Sequence, residues 1–119
     1  MYWKERESEL AVRSQVIHGG DGEIKRRHFF AQISKLPVNM ETWELDPGAS
    51  EGGHIHDGDE SLEEIYYFLE GTGTMQISGD EVPVQAGDAV LAPKGVEHGF
   101  RNTGDETLRL VLIWGKPSI

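Results

Sequence analysis

The sequence predicts an all-β fold, and three observations carry that prediction. Short stretches of apolar and polar residues alternate along most of the chain, turn-forming residues separate them at near-regular intervals, and 15 of the 119 residues are glycine. A chain of this length buries one core without staples, so one barrel domain is expected over residues 23–119, preceded by an N-terminal arm over 1–22.

The arm carries mixed charge up to Leu10, Ala11 and Val12, then a short apolar Val16-Ile17 and a glycine break at Gly19, Gly20 and Gly22. That pattern suits a strand or a short helix. The first strand of the domain, over 23–31, sets Arg26, His28 and Phe30 on one face against Arg27, Phe29 and Ala31. Pro37 ends it, and 38–45 forms the next, with Met40, Trp43 and Leu45 as its apolar content; their spacing slips once, as a bulge would make it. Asp46-Pro47-Gly48 turns the chain toward His54-Ile55-His56, after which 57–63 is an acidic insertion. Its carboxylates suggest calcium superficially, but Leu62 stands where a helix-loop-helix calcium loop needs glycine, so a solvated loop at a barrel mouth is expected.

The stretch after the insertion reads two ways. Ser61-Leu62-Glu63-Glu64 is a capping-box pattern, and Leu62, Ile65, Phe68 and Leu69 recur at helical spacing. Against a helix stand the cluster Ile65-Tyr66-Tyr67-Phe68, which favours a pleated surface, and the short distance to Gly71 and Gly73. A strand follows over 74–78, then a tight Gly79-Asp80 turn and a return through Val82-Pro83-Val84, where Pro83 implies a sheet edge. Residues 89–92 read as a short buried strand before the Pro93-Lys94-Gly95 turn, and 99–102 runs to a second turn at Asn102-Thr103-Gly104-Asp105. The last strand, over 107–114, places Leu108, Leu110, Leu112 and Trp114 on one face and Arg109, Val111 and Ile113 on the other. Strands apolar on both faces, here and at Ile65, Tyr67 and Leu69, predict packing outside the barrel, and a homodimer is the economical form of it.

With 11 basic against 21 acidic side chains the formal net charge is −10, which argues against nucleic acid and anionic membranes as partners. The chain has no cysteine, so disulfides and thiolate metal sites are excluded. The charged start at Met1-Tyr2-Trp3-Lys4 lacks the apolar run of a secretory signal, and a cytoplasmic location is expected.

The chemistry concentrates in three histidines and a glutamate. In a strand, residues two apart share a face, so His54 and His56 can aim both rings at one point. The same alternation groups Glu64, Tyr66 and Phe68, and His98 would come from a further strand after the Pro93-Lys94-Gly95 turn. Three neutral imidazoles and one carboxylate suit iron, manganese, cobalt, nickel, copper or zinc, and suit calcium or magnesium poorly. His28 either faces the pocket or is a surface or inter-strand histidine, and His18, beside the glycines, has a weaker claim. Glu60 and Glu64 both lie close enough after the histidines to compete for the carboxylate position.

These residues form two blocks. Gly48 is followed after five residues by His54-Ile55-His56, then by Glu64 and Gly71; Gly87 is followed after five residues by Pro93-Lys94-Gly95, then by His98 and Asn102. The pair resembles the two signature motifs of the cupin superfamily. The second block fits throughout, whereas the first departs in having seven residues between His56 and Glu64, more than cupins usually carry. The resemblance implies an antiparallel jelly-roll β-barrel with one divalent ion held by His54, His56, Glu64 and His98.

The expected pocket walls are Tyr66, Phe68 and Phe100, with Met40, Met75, Trp114 and His28 as further candidates, and Tyr66 could supply a proton or hydrogen bond. A small-molecule substrate is implied. Members of such a family include dioxygenases, isomerases, epimerases, cyclases, decarboxylases and non-catalytic ligand-binding or sensor modules. Because only Lys94 and Arg101 lie near the motifs to hold a phosphate, oxygen chemistry of the dioxygenase type is favoured over sugar-phosphate isomerisation.

Overall fold

The structure, a computed structural model, describes residues 1–56 and 61–118. Among these, ten strands form two antiparallel sheets: β1 (Arg13–Gln15), β2 (Ile24–Phe29), β3 (Val38–Leu45), β4 (Ser50–His54), β5 (Glu63–Glu70), β6 (Thr72–Ile77), β7 (Asp80–Gln85), β8 (Ala89–Ala92), β9 (His98–Arg101) and β10 (Leu108–Gly115). The larger sheet has the order β1-β2-β3-β10-β5-β8 and the smaller β4-β9-β6-β7. The two stack as a jelly roll, with alternate residues of each strand in the core. Thus β5 buries Glu64, Tyr66 and Phe68 and exposes Ile65 and Tyr67, while β10 buries Leu108, Leu110 and Leu112. No helix among the described residues is long and apolar enough to cross a membrane.

The helical alternative for the stretch around Glu64 is not adopted. Strand β5 is paired by β10 on one side and β8 on the other, so its backbone groups bond across the sheet. Pro83 sits on β7, the edge strand of the smaller sheet, where a missing N–H costs no second ladder. Phe30 takes a left-handed φ of 50° and ends β2, so it does not continue the face of Arg26 and His28.

The bulge expected in β3 is absent, since its register with both β2 and β10 runs without a shift. Its inward set is Glu41, Trp43 and Leu45, so a buried acid, and not Met40, carries the period. Arg26 reaches Glu41 with two bonds of 2.7 and 2.8 Å, and the indole N–H groups of Trp43 and Trp114 donate to it at 3.2 and 2.8 Å. Four donors compensate the desolvated carboxylate. The irregularities fall elsewhere: in β4 between Glu51 and His54, and in β10 beside Arg109, opposite β5.

Residues 17–21 run along β4. The Gly52 N–H donates to the Ile17 carbonyl at 3.0 Å and the Ser50 N–H to the Asp21 carbonyl at 2.8 Å, while the Ile17 side chain is buried. This approach requires glycine: a Cβ on Gly52 would stand 1.9 Å from the His18 carbonyl oxygen.

Candidate metal centre

Three strands deliver the cluster. His54 closes β4, His56 follows two residues later, Glu64 opens the inward row of β5, and His98 starts β9 directly opposite His54. Their ligand atoms all lie within 4.8 Å of one another. The focus is a single atom, Glu64 Oε1, at 2.7 Å from His56 Nε2, 3.0 Å from His98 Nε2 and 3.5 Å from His54 Nε2.

Tautomers follow from the other ring nitrogens. His54 Nδ1 is 2.9 Å from the Gly52 carbonyl and His98 Nδ1 is 2.9 Å from the Val96 carbonyl. A carbonyl only accepts, so in both rings Nδ1 carries the hydrogen and a neutral ring presents a bare lone pair at Nε2. Lone pairs facing a carboxylate oxygen repel unless a positive charge lies between them. His54 Nε2 is moreover buried with no hydrogen-bond partner. Three convergent nitrogens, one of them orphaned and buried, and one carboxylate are a donor set that fits a first-row divalent ion.

The electrostatics agree. Burial pushes the Glu64 carboxyl up, but the surrounding histidines outweigh it and hold the group far below the usual carboxylate range. Burial lowers His56, with neighbouring rings adding to the effect against the pull of Glu64. Burial also acts to lower His98, yet its bonds to Glu64 and to Val96 raise it.

Tyr66 is fully buried beside the cluster, its ring edge-on to His98 at 5.8 Å. Its oxygen lies 3.0 Å from Glu51 Oε1 and 3.2 Å from Glu64 Oε2. Burial and then the charge of Glu64 push the Glu51 carboxyl well up, and burial followed by both carboxylates does the same to the Tyr66 phenol. Glu51 thus holds its proton to higher pH than an ordinary carboxyl.

The other expected pocket residues divide. Phe68, Met75 and Phe100 are buried, with Phe100 edge-on to Tyr66 at 5.6 Å. Trp114 is half-buried and committed to Glu41. Met40 does not join the cluster: the regular period of β3 turns it outward, 38% exposed, opposite Phe29 and Ile113. His28 lies opposite Glu41 in register and lines, with Phe30, Leu36 and Met40, a cavity of about 580 Å³. Glu60 and the first part of the acidic insertion, 57–60, lie outside the described residues.

Two neighbours of the centre were not expected there. Strand alternation sets Glu51 and His54 on opposite faces, and only the irregularity between them lets both point inward, a feature no sequence period announces. His18 stacks on His54 with centroids 3.6 Å apart and planes 13° from parallel. Its signal was the glycine break beside it, which permits the close approach to β4.

Comparison with known proteins gives a consistent picture. A family model described as a cupin domain matches residues 41–114. An oxalate-binding protein of Thermotoga maritima is 33% identical over 114 residues, covering 91% of this chain and 89% of the relative. The polyketide synthase CurC of Streptomyces cyaneus is 34% identical over 79 residues, 63% of this chain and 49% of its own length. Among solved structures, a predicted oxalate decarboxylase from Thermotoga maritima superposes with a TM-score of 0.86 at 30% identity, covering 94% of this chain and 97% of the other. The polyketide cyclase RemF from Streptomyces resistomycificus gives 0.80 at 23% identity, over 97% and 80%, a likeness of fold.

Proposed function

The chain belongs to the cupin family, and from that premise we propose that it is a metalloprotein holding one divalent transition ion on His54, His56, Glu64 and His98 and taking a small organic acid of the oxalate class as its ligand. The observation that carries the reading is the convergence of three imidazole Nε2 atoms on Glu64 Oε1. The oxalate named for the Thermotoga maritima relative supports the ligand class. Iron, manganese, cobalt, nickel, copper or zinc bound there would supply Lewis acidity toward a ligand oxygen and, for the redox-active ions, access to dioxygen.

The chain's own residues do the rest. The Gly52 and Val96 carbonyls fix the two rings with Nε2 toward the site. Tyr66 has one phenolic hydrogen between two carboxylates, so a protonated Glu51 completes the set: its proton goes to Tyr66 Oη and the phenol donates to Glu64 Oε2. That arrangement stores a proton two hydrogen bonds away from Glu64, at the buried acid Glu51, for a reaction that generates negative charge on the ligand. We assign the protein an enzymatic role of the dioxygenase type. Binding without turnover is the second reading, favoured by the name of the oxalate-binding relative.

Calorimetric titration of the iron-, manganese- or zinc-loaded protein with oxalate tests the ligand class, and dioxygen uptake in the presence of small organic acids separates the two readings. Heat without uptake selects the binding module; neither signal rejects the proposal. We also propose that the row of exposed Met40, half-buried Ile113, and exposed Ile65 and Leu91, contiguous across β3, β10, β5 and β8, meets the same row of a second copy. Light scattering should then report twice the chain mass, and Ile65→Lys should halve it.

A further inference from the structure

His18 adds a fourth imidazole beside the three of the cluster, and its backbone is tethered on both sides of that ring. Its backbone sits in the left-handed region, φ 52°, which a histidine tolerates but does not prefer. The strain is held by neighbours on both sides: the Gly20 N–H and the Gly52 N–H both donate to the Ile17 carbonyl, at 3.1 and 3.0 Å, and Asp21 is tied to Ser50 through the Ser50 N–H and the Ser50 hydroxyl, each at 2.8 Å. The bare Cα of Gly52 admits the His18 carbonyl. The product of this tethering is a parallel stack of His18 on His54, with His56 edge-on to His18 at 5.9 Å.

We infer that His18 is a positioning residue for His54: its ring holds one face of the His54 imidazole, so that Nε2 stays aimed at the centre. The inference rests on the metal-site reading given above. His54 needs such support because its one hydrogen bond runs from Nδ1 to Gly52, its Nε2 has no hydrogen-bond partner, and the other rings against it, His56 at 4.6 Å and His98 at 4.2 Å, are themselves members of the cluster. A helical or regular strand environment would fix a ligand ring by packing; here the N-terminal segment performs that role from outside the two motifs. The competing role is direct ligation, since His18, Glu51 and His54 also present ligand atoms within 4.8 Å of one another.

Two variants of the full chain separate the roles. His18→Asn accepts the left-handed backbone and removes the ring, whereas His18→Phe keeps a stacking ring and removes both nitrogens. Affinity for cobalt or zinc is measured by competition with a chromophoric chelator, together with the visible spectrum of the cobalt form and the thermal unfolding of each apoprotein. The expected result is an affinity loss of roughly tenfold in His18→Asn and a changed cobalt spectrum, with His18→Phe within roughly threefold of the parent and a parent-like spectrum. Unchanged affinity in His18→Asn, or a His18→Phe as weak as His18→Asn, overturns the inference; the second result makes a His18 nitrogen the working part. A parent chain that binds neither metal overturns the site reading and this inference with it, so the two failures are told apart.

Discussion

Glu64 Oε1 stands 3.0 Å from His98 Nε2, while the opposite nitrogen of that ring gives its hydrogen to the Val96 carbonyl at 2.9 Å. A neutral His98 in this tautomer has nothing to donate to the carboxylate, so a positive charge must share the gap. A proton on His98 satisfies one such contact, but His54 and His56 crowd the same oxygen, and one divalent ion satisfies all of them.

His98→Ala or His54→Ala is therefore expected to lower metal affinity by more than about 100-fold, beyond the loss typical of an outer partner. The barrel should remain folded by circular dichroism, since neither ring is part of the apolar core. Glu64→Gln should weaken binding and Glu60→Gln should leave it nearly unchanged. Chelator competition on the four variants reads all of this, and the reverse order for the two glutamates would move the ligand into the insertion.

Tyr66→Phe removes the single hydroxyl between Glu51 and Glu64. That leaves the Glu51 hydroxyl without an acceptor and Glu64 Oε2 without a donor, at a cost of about 1–3 kcal/mol, to be measured by denaturant unfolding. Glu51→Gln keeps an uncharged group of the same shape and should cost less than Tyr66→Phe. The opposite ranking would mean that Glu51 is ionised in the fold.

Glu41 gives the pH dependence. Burial would raise its carboxyl, but the bonds from Arg26, Trp114 and Trp43 prevail and hold it below the ordinary value of 4.5. A depressed folded value contributes stability that is complete above 4.5 and is lost as pH falls through the folded value. Glu41→Gln strands the Arg26 guanidinium and should cost roughly 3 kcal/mol at neutral pH. The gap between the parent and Glu41→Gln should narrow as pH drops below 4.5, which unfolding curves from pH 7 to pH 3 would show.

The strands were legible because they obey short-range rules, whereas the grouping of His98 with His54, His56 and Glu64 came from the resemblance to the two cupin motifs. Alternation over residues 63–70 marked Glu64, Tyr66 and Phe68 as inward, and the spacing of His54 and His56 marked a shared direction. What was hidden depends on polar residues behaving as core. An isolated acid carries no sequence sign of burial, so without Glu41 the apolar content of β3 slips by one residue and Met40, which is exposed, is counted inward. Only the partners, Arg26, Trp43 and Trp114, brought from three strands, make Glu41 an interior residue. Glu51 was hidden by the β4 irregularity, and His18 by its distance along the chain from the motifs it serves.

The most direct test of the account is elemental analysis of the full chain, purified without chelators or a histidine tag and then dialysed against each candidate ion. Close to one transition ion per chain is expected, lost in His98→Ala. A parent protein that stays metal-free after reconstitution, or one that keeps its ion in both His54→Ala and His98→Ala, would contradict it.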